Sequence, residues 1–168
     1  MEIEQNMTSR KVEIDRFSMT SSKPFEVVVA ALEAAICHPD MDEFLKATQD
    51  ALTITELEST VHRGLGKMGL MMFMKLDQGV ILRKQTGLHI PKVVRFLIGN
   101  PLIMKKMLKH VPDAGYYAQI TILLDERPDG VHLSYDKMTS LLAPYRNPDA
   151  LAVARDLDSK NRVDSSRV

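Results

Sequence analysis

Thr121-Ile-Leu-Leu-Asp-Glu-Arg-Pro-Asp-Gly-Val-His-Leu-Ser-Tyr135 decides the fold. Pro128-Asp129-Gly130 is turn chemistry, because proline fixes one backbone angle and glycine accepts the conformation that closes a tight turn. Residues 116–125 on one side and 131–135 on the other are predicted as an antiparallel hairpin. His132 alternates away from Val131, Leu133 and Tyr135, which places it on the polar side of its strand. Downstream, Asp136 is predicted to cap a helix carrying Met138, Leu141, Leu142 and Tyr145, stopped by Pro144. Asn147-Pro148 repeats the cap signal for a last helix reaching about Lys160.

Upstream of the hairpin stands a second informative run, Phe96-Leu-Ile-Gly-Asn-Pro-Leu-Ile-Met-Lys-Lys-Met-Leu108. Residues 93–98 read as a short apolar strand interrupted by Arg95. Residues 101–110 read as a helix with Asn100 as N-cap and Pro101 in its first position. Farther back, alternation over 11–17 predicts a first strand, and 70–76 predicts a strand apolar on both faces, hence buried. Phe25, Val28, Val29, Leu32, Ala35 and Ile36 recur at helical spacing after Pro24. Residues 40–52 form a weaker helix, and Thr53-Ile-Thr-Glu56 has capping-box spacing for another towards His62. Residues 78–85 read as a poorly patterned helix closed by Gly87. Strands separated by helices, then a hairpin and more helices, predict an α+β domain with a small, mainly antiparallel sheet backed by helices. It should occupy residues 10–160, with flexible tails at 1–9 and 161–168.

Composition narrows the function. The 168 residues fit one domain, 45% of them are apolar, and the apolar stretches are broken by charge before membrane-spanning length. The single cysteine, Cys37, cannot form an internal disulfide, and an acidic, polar start does not resemble a secretory signal, so a cytoplasmic location is expected. The net charge of zero conceals blocks: residues 62–110 hold ten of the 22 Lys and Arg and one acid, Asp77, for +9, against −7 before and −2 after. Either the blocks neutralise each other in the fold or across a dimer interface, or the basic block steers an anionic ligand. Nucleic acid is not expected, since the bases are not interleaved with exposed aromatics and Trp is absent.

Several of these segments together carry a family resemblance. Leu76-Asp-Gln-Gly, Lys84-Gln-Thr-Gly-Leu88, Phe96-Leu-Ile-Gly-Asn-Pro101 and the 121–135 hairpin resemble the domain-of-unknown-function 302 family over roughly residues 10–160. The resemblance implies a small α+β fold with an antiparallel sheet backed by helices, often dimeric, and no established activity. It also marks residues 37–58 as a helical insertion. Two departures stand out: Gln78 where many members carry His, and a more basic helix after Asn100-Pro101.

The expected role is a homo-oligomeric, dimeric binding protein for a small anionic ligand near a basic helix N-terminus, with no cofactor and no assigned reaction. Its candidate ligand-binding residues are Arg95, Asn100, Lys105, Lys106 and Tyr135. Helix N-termini offer free N–H groups to anions, and Lys105 and Lys106 follow closely. A desolvated Arg95 needs a partner, expected to be Asp77 or Asp125. One alternative is a metal- or haem-linked redox accessory protein using His62, His89, His110 and Met68, Met71, Met72 and Met74. A second is an enzyme with a pocket where Arg95 and Tyr135 or a histidine converge.

Overall fold

The computed structural model describes residues 8–89 and 91–160, so most of both expected tails falls outside the described residues. The elements run β1 (Arg16–Ser21), α1 (Phe25–Ala35), α2 (Met41–Asp50), α3 (Ile54–Arg63), β2 (Met71–Asp77), α4 (Gly79–Thr86), β3 (Val93–Gly99), α5 (Pro101–Leu108), β4 (Gln119–Arg127), β5 (Gly130–Asp136), α6 (Met138–Leu142) and α7 (Pro148–Lys160). The strands form one open antiparallel sheet in the order β1-β5-β4-β3-β2. The fold is α+β, as the segment order predicts.

The hairpin lies at the centre of this sheet, and its alternation is converted into burial. Ile122, Leu124, Leu133 and Val131 point to one face and are at most 3% exposed, beside Phe96 and Ile98 from β3. Against that face pack Phe25, Val28 and Leu32 of α1, Ile103 and Met107 of α5, Leu142 of α6, and Ala154 and Leu157 of α7. Each large side chain so buried stabilises the fold by about 1.5–3 kcal/mol relative to exposure. A smaller cluster of Phe44, Val61 and Met71 joins α2 and α3 to the end of β2, with Phe73 and Leu102 against it.

Four helix starts carry a local side-chain cap, and three of these, Thr53, Asn100 and Asn147, are the ones expected from the sequence. Asp40 accepts from Glu43 N, Thr53 and Glu56 form a reciprocal capping box, and Asn147 accepts from Ala150 N. Gly87 closes α4 in the left-handed region, at φ 69°. Gly66 is required for closeness: a Cβ there would stand 2.4 Å from Cys37 N and 2.7 Å from the Ile36 carbonyl carbon.

Four expectations are corrected. The first strand begins at Arg16, because its partner β5 ends at Asp136, directly opposite; Asp15 then accepts Lys137 N beside α6. The strand expected from 116 starts at Gln119, and Pro112–Tyr116 is a short 3-10 turn instead. The 70–76 strand, expected buried on both faces, lies at the sheet edge, with Met74 46% and Leu76 38% exposed. Asp136 does not cap α6. It pairs with Arg16, and Asp158 of α7 reaches back to accept Met138 N at 2.8 Å and Thr139 N at 3.0 Å.

Candidate functional site

The strand-to-helix turn at Gly99-Asn100-Pro101 holds its own polar groups. Pro101 has no N–H; Leu102 N and Ile103 N donate to Asn100 Oδ1 at 2.9 and 3.4 Å, and Met104 N donates to Asn100 O. Asn100 Nδ2 in turn donates to Gly69 O at 2.9 Å. The first turn of α5 therefore leaves no N–H unpaired for an anion. Lys105 is engaged with Glu58 of α3 at 2.9 Å, and Lys106 is exposed without an ion pair among the described residues.

Beside this turn lies an apolar pocket of about 320 Å³. Its walls come from Phe44 and Leu45 of α2, Leu57 and Val61 of α3, Phe73 of β2 and Leu102 of α5. Polar groups are few: Thr48, Asn100, Lys105 and Gln119. A mostly apolar concavity with a small number of polar groups is the usual form of a small-molecule site. The α2–α3 wall was not among the sequence-derived site residues. Its signal is the pair of i, i+4 repeats, Phe44–Thr48 and Leu57–Val61, on two consecutive capped helices, which says that each has a face but not that the faces meet α5.

Arg95 and Tyr135 lie on opposite faces of the sheet. Tyr135 is 3% exposed, shares the core face with Ile122 and packs on Phe17 with ring centroids 5.2 Å apart. Arg95 pairs across to Leu123 on the other face, and its Nη2 donates to Thr121 Oγ1 at 3.2 Å. The carboxylates expected to partner it are used elsewhere: Asp77 pairs with Arg83 and Asp125 with Arg127. Arg95 Nε is buried without a hydrogen-bond partner among the described residues.

On the helix side, at the β2–β3 edge, a broader groove of about 660 Å³ carries a charge network. Lys75 pairs with Glu33, Lys92 with Glu26, and Arg83 with Asp77. The guanidinium of Arg83 holds the Asp77 carboxyl below its ordinary pKa. With Lys105–Glu58, three of the basic block's ion pairs reach acids of the N-terminal block, so three of its nine net positive charges are neutralised inside the fold.

The remaining candidates are dispersed. His62 sits in the last turn of α3, His89 lines the groove, and His110 lies 3.9 Å from Asp149. Among the described residues no group of three or more His, Cys, Asp or Glu is placed to hold a metal ion. Met72 belongs to the main core and Met71 to the smaller one. Burial first, then hydrogen bonding with Tyr117 and Asp113, pushes the pKa of the Tyr145 hydroxyl up to about 12. No helix among the described residues is long and apolar enough to cross a membrane.

Comparison with known proteins agrees with this architecture. No curated protein matches the chain. It is similar in structure to the uncharacterized conserved protein DUF302 from Bacillus stearothermophilus, with a TM-score of 0.59 and 15% identity. That likeness covers 86% of this chain and 91% of the other, and it speaks for the fold alone. The family described as Domain of unknown function DUF302 matches residues 44–162, which takes in the apolar pocket, the central hairpin and the helices after it. On that match, the chain belongs to the DUF302 family.

Proposed function

We propose that this chain is a binding protein for a small amphipathic anion. The apolar body of the ligand occupies the pocket between α2–α3 and α5, and its head group meets Lys105 at the rim. The observation that carries the reading is the combination itself: a concavity of about 320 Å³ walled by aliphatic and aromatic side chains, with one lysine among few polar groups. A bare inorganic anion fits poorly, because Asn100 and the preceding carbonyl already take the N–H groups of the turn. The Lys105–Glu58 pair is an exposed one, with side chains 48% and 44% accessible, so exchanging Glu58 for a ligand carboxylate costs little. Lys106 adds positive potential without a competing ion pair. Asn100 fixes the wall, whereas Arg95 and Tyr135 do not line this pocket. A cytoplasmic setting suits a chain whose one cysteine has no disulfide partner.

Thermal denaturation with octanoate, octanol and inorganic phosphate tests the reading. Octanoate should raise the melting temperature, and neither octanol nor phosphate should match it. Lys105→Ala should abolish the preference for octanoate over octanol, and Leu45→Trp should remove binding of both by filling the space. No rise with octanoate, or a rise indifferent to both substitutions, overturns the proposal.

A further inference from the structure

We propose that the groove at the β2–β3 edge binds a small hydrophobic primary amine, with Lys92 as a latch that the amine displaces. The inference is independent of the pocket reading and concerns a different site.

The groove has an apolar floor and a charged rim. Phe25, Val29 and Ala30 of α1, with Val94 of β3, supply the apolar lining. Glu26 and Glu33 lie on the same helix, separated along its axis by about 10 Å at the α-helical rise. Each holds one lysine: Glu26 pairs with Lys92, and Glu33 with Lys75. The apolar stretch between the two pairs suits a body no longer than one ring and a short linker.

Charge decides the sign of the ligand. Lys75, Arg83 and Lys92 all line the groove, and each already has an acid on it. A further acid stands beside Lys92. Glu126 follows Leu124 by two positions on β4, so it faces the helix side, and its N–H donates to Lys92 O at 2.9 Å. Its Oε2 is buried with no hydrogen-bond partner among the described residues. With His89 counted as neutral, the acids Glu26, Glu33, Asp77 and Glu126 outnumber the bases by one. An anion would add to that excess. A buried carboxylate oxygen without a donor costs free energy, and it marks where positive charge is missing.

Lys92 links that carboxylate to the floor of the groove. Its Nζ lies 5.8 Å from the centre of the Phe25 ring while it pairs with Glu26, so it covers the floor. The hydrogen bond to Glu26 holds its pKa above the ordinary lysine value, and the charge of Glu126 acts in the same direction. When an amine enters, its apolar body takes the face of Phe25 and its ammonium takes Glu26. Lys92 then turns inward to Glu126 Oε2, and every carboxylate of the groove keeps a donor. Opening the Glu26–Lys92 pair costs little, because its side chains are 69% and 32% accessible.

Calorimetric titration of the full chain with phenethylamine, phenethyl alcohol and hydrocinnamate tests this. Phenethylamine should bind with a Kd of about 1 mM or below, at least about tenfold tighter than the alcohol or the acid. Glu126→Gln takes away the carboxylate that receives Lys92 and should weaken amine binding by about tenfold. Lys92→Met removes the latch and should tighten it by about fivefold. Ala30→Trp, at an exposed position of α1, should fill the groove and abolish binding with far-UV circular dichroism unchanged. Leu45→Trp, in the other pocket, should leave amine binding as it is. Absence of phenethylamine binding at millimolar concentration overturns the proposal, as does equal affinity for the alcohol or the acid. So does binding indifferent to Ala30→Trp or Glu126→Gln, or weakened by Lys92→Met.

Discussion

The β4–β5 hairpin and the β2–α4 segment are both rich in apolar residues and both belong to one sheet, yet they meet opposite fates. In the hairpin, Ile122, Leu124, Val131 and Leu133 are sealed beneath four helices. In β2–α4, Met74, Leu76, Ile81 and Leu82 face outward, and charged pairs to α1 and α4 take the place of apolar packing. Hydrophobic content alone therefore does not make a core. The position of the strand in the sheet, and whether a helix layer lies over it, decides how much of that content leaves water.

The largest effects should come from substitutions that test this contrast directly. Leu133→Ala, at 1% exposure, should destabilise by about 2–5 kcal/mol, whereas Leu76→Ala should cost under about 1 kcal/mol in dilute protein; urea denaturation of both compares them. Equal costs would mean that β2 is as enclosed as the hairpin. Next in size, Asp158→Ala leaves Met138 N and Thr139 N without their acceptor, together with the Thr139 hydroxyl. A loss of about 1–3 kcal/mol is expected, read from the same denaturation curves. Wild-type stability would show that α6 caps itself locally and does not depend on α7.

Smaller effects probe the polar groups. Arg95→Met removes a buried Nε with no partner and keeps much of the side chain's bulk, so stability should hold or rise by up to about 1 kcal/mol. A marked loss would mean that Arg95 is held by something beyond Thr121. Smallest is the Asp77–Arg83 pair. Because the folded state lowers the Asp77 pKa, its stabilisation is present above the unfolded carboxyl value and is lost as pH falls through the lower folded value. Asp77→Asn should slightly lower stability near neutrality, a deficit that shrinks as pH falls below about 4. A deficit that persists unchanged at lower pH would place its origin elsewhere.

Much of this was legible in the chain. Thr53 with Glu56, Asn100 with Pro101, and Asn147 with Pro148 all act as local capping signals in the structure, because a cap and the N–H groups it satisfies lie within three residues. The cap of α6 was misread for the opposite reason: Asp158 is twenty residues from Met138, and the adjacent Asp136 looks equally suitable until Arg16 claims it. Of the expected ligand residues, Asn100 and Lys105 meet at the apolar pocket, while Arg95 and Tyr135 are parted by the thickness of the sheet. Alternation assigns each to a face of its own strand, but not to a common face.

The sequence by itself determined the α+β class, the central hairpin, most helix starts and the block pattern of charge, since each is encoded by neighbours a few residues apart. Only the tertiary structure decided that β2 is an edge, that α2–α3 closes a pocket against α5, and that Lys75, Lys92 and Lys105 find acids 42 to 66 residues away. Strand order and helix packing follow from which surfaces bury the most apolar area together, a property of the whole chain that no local period carries.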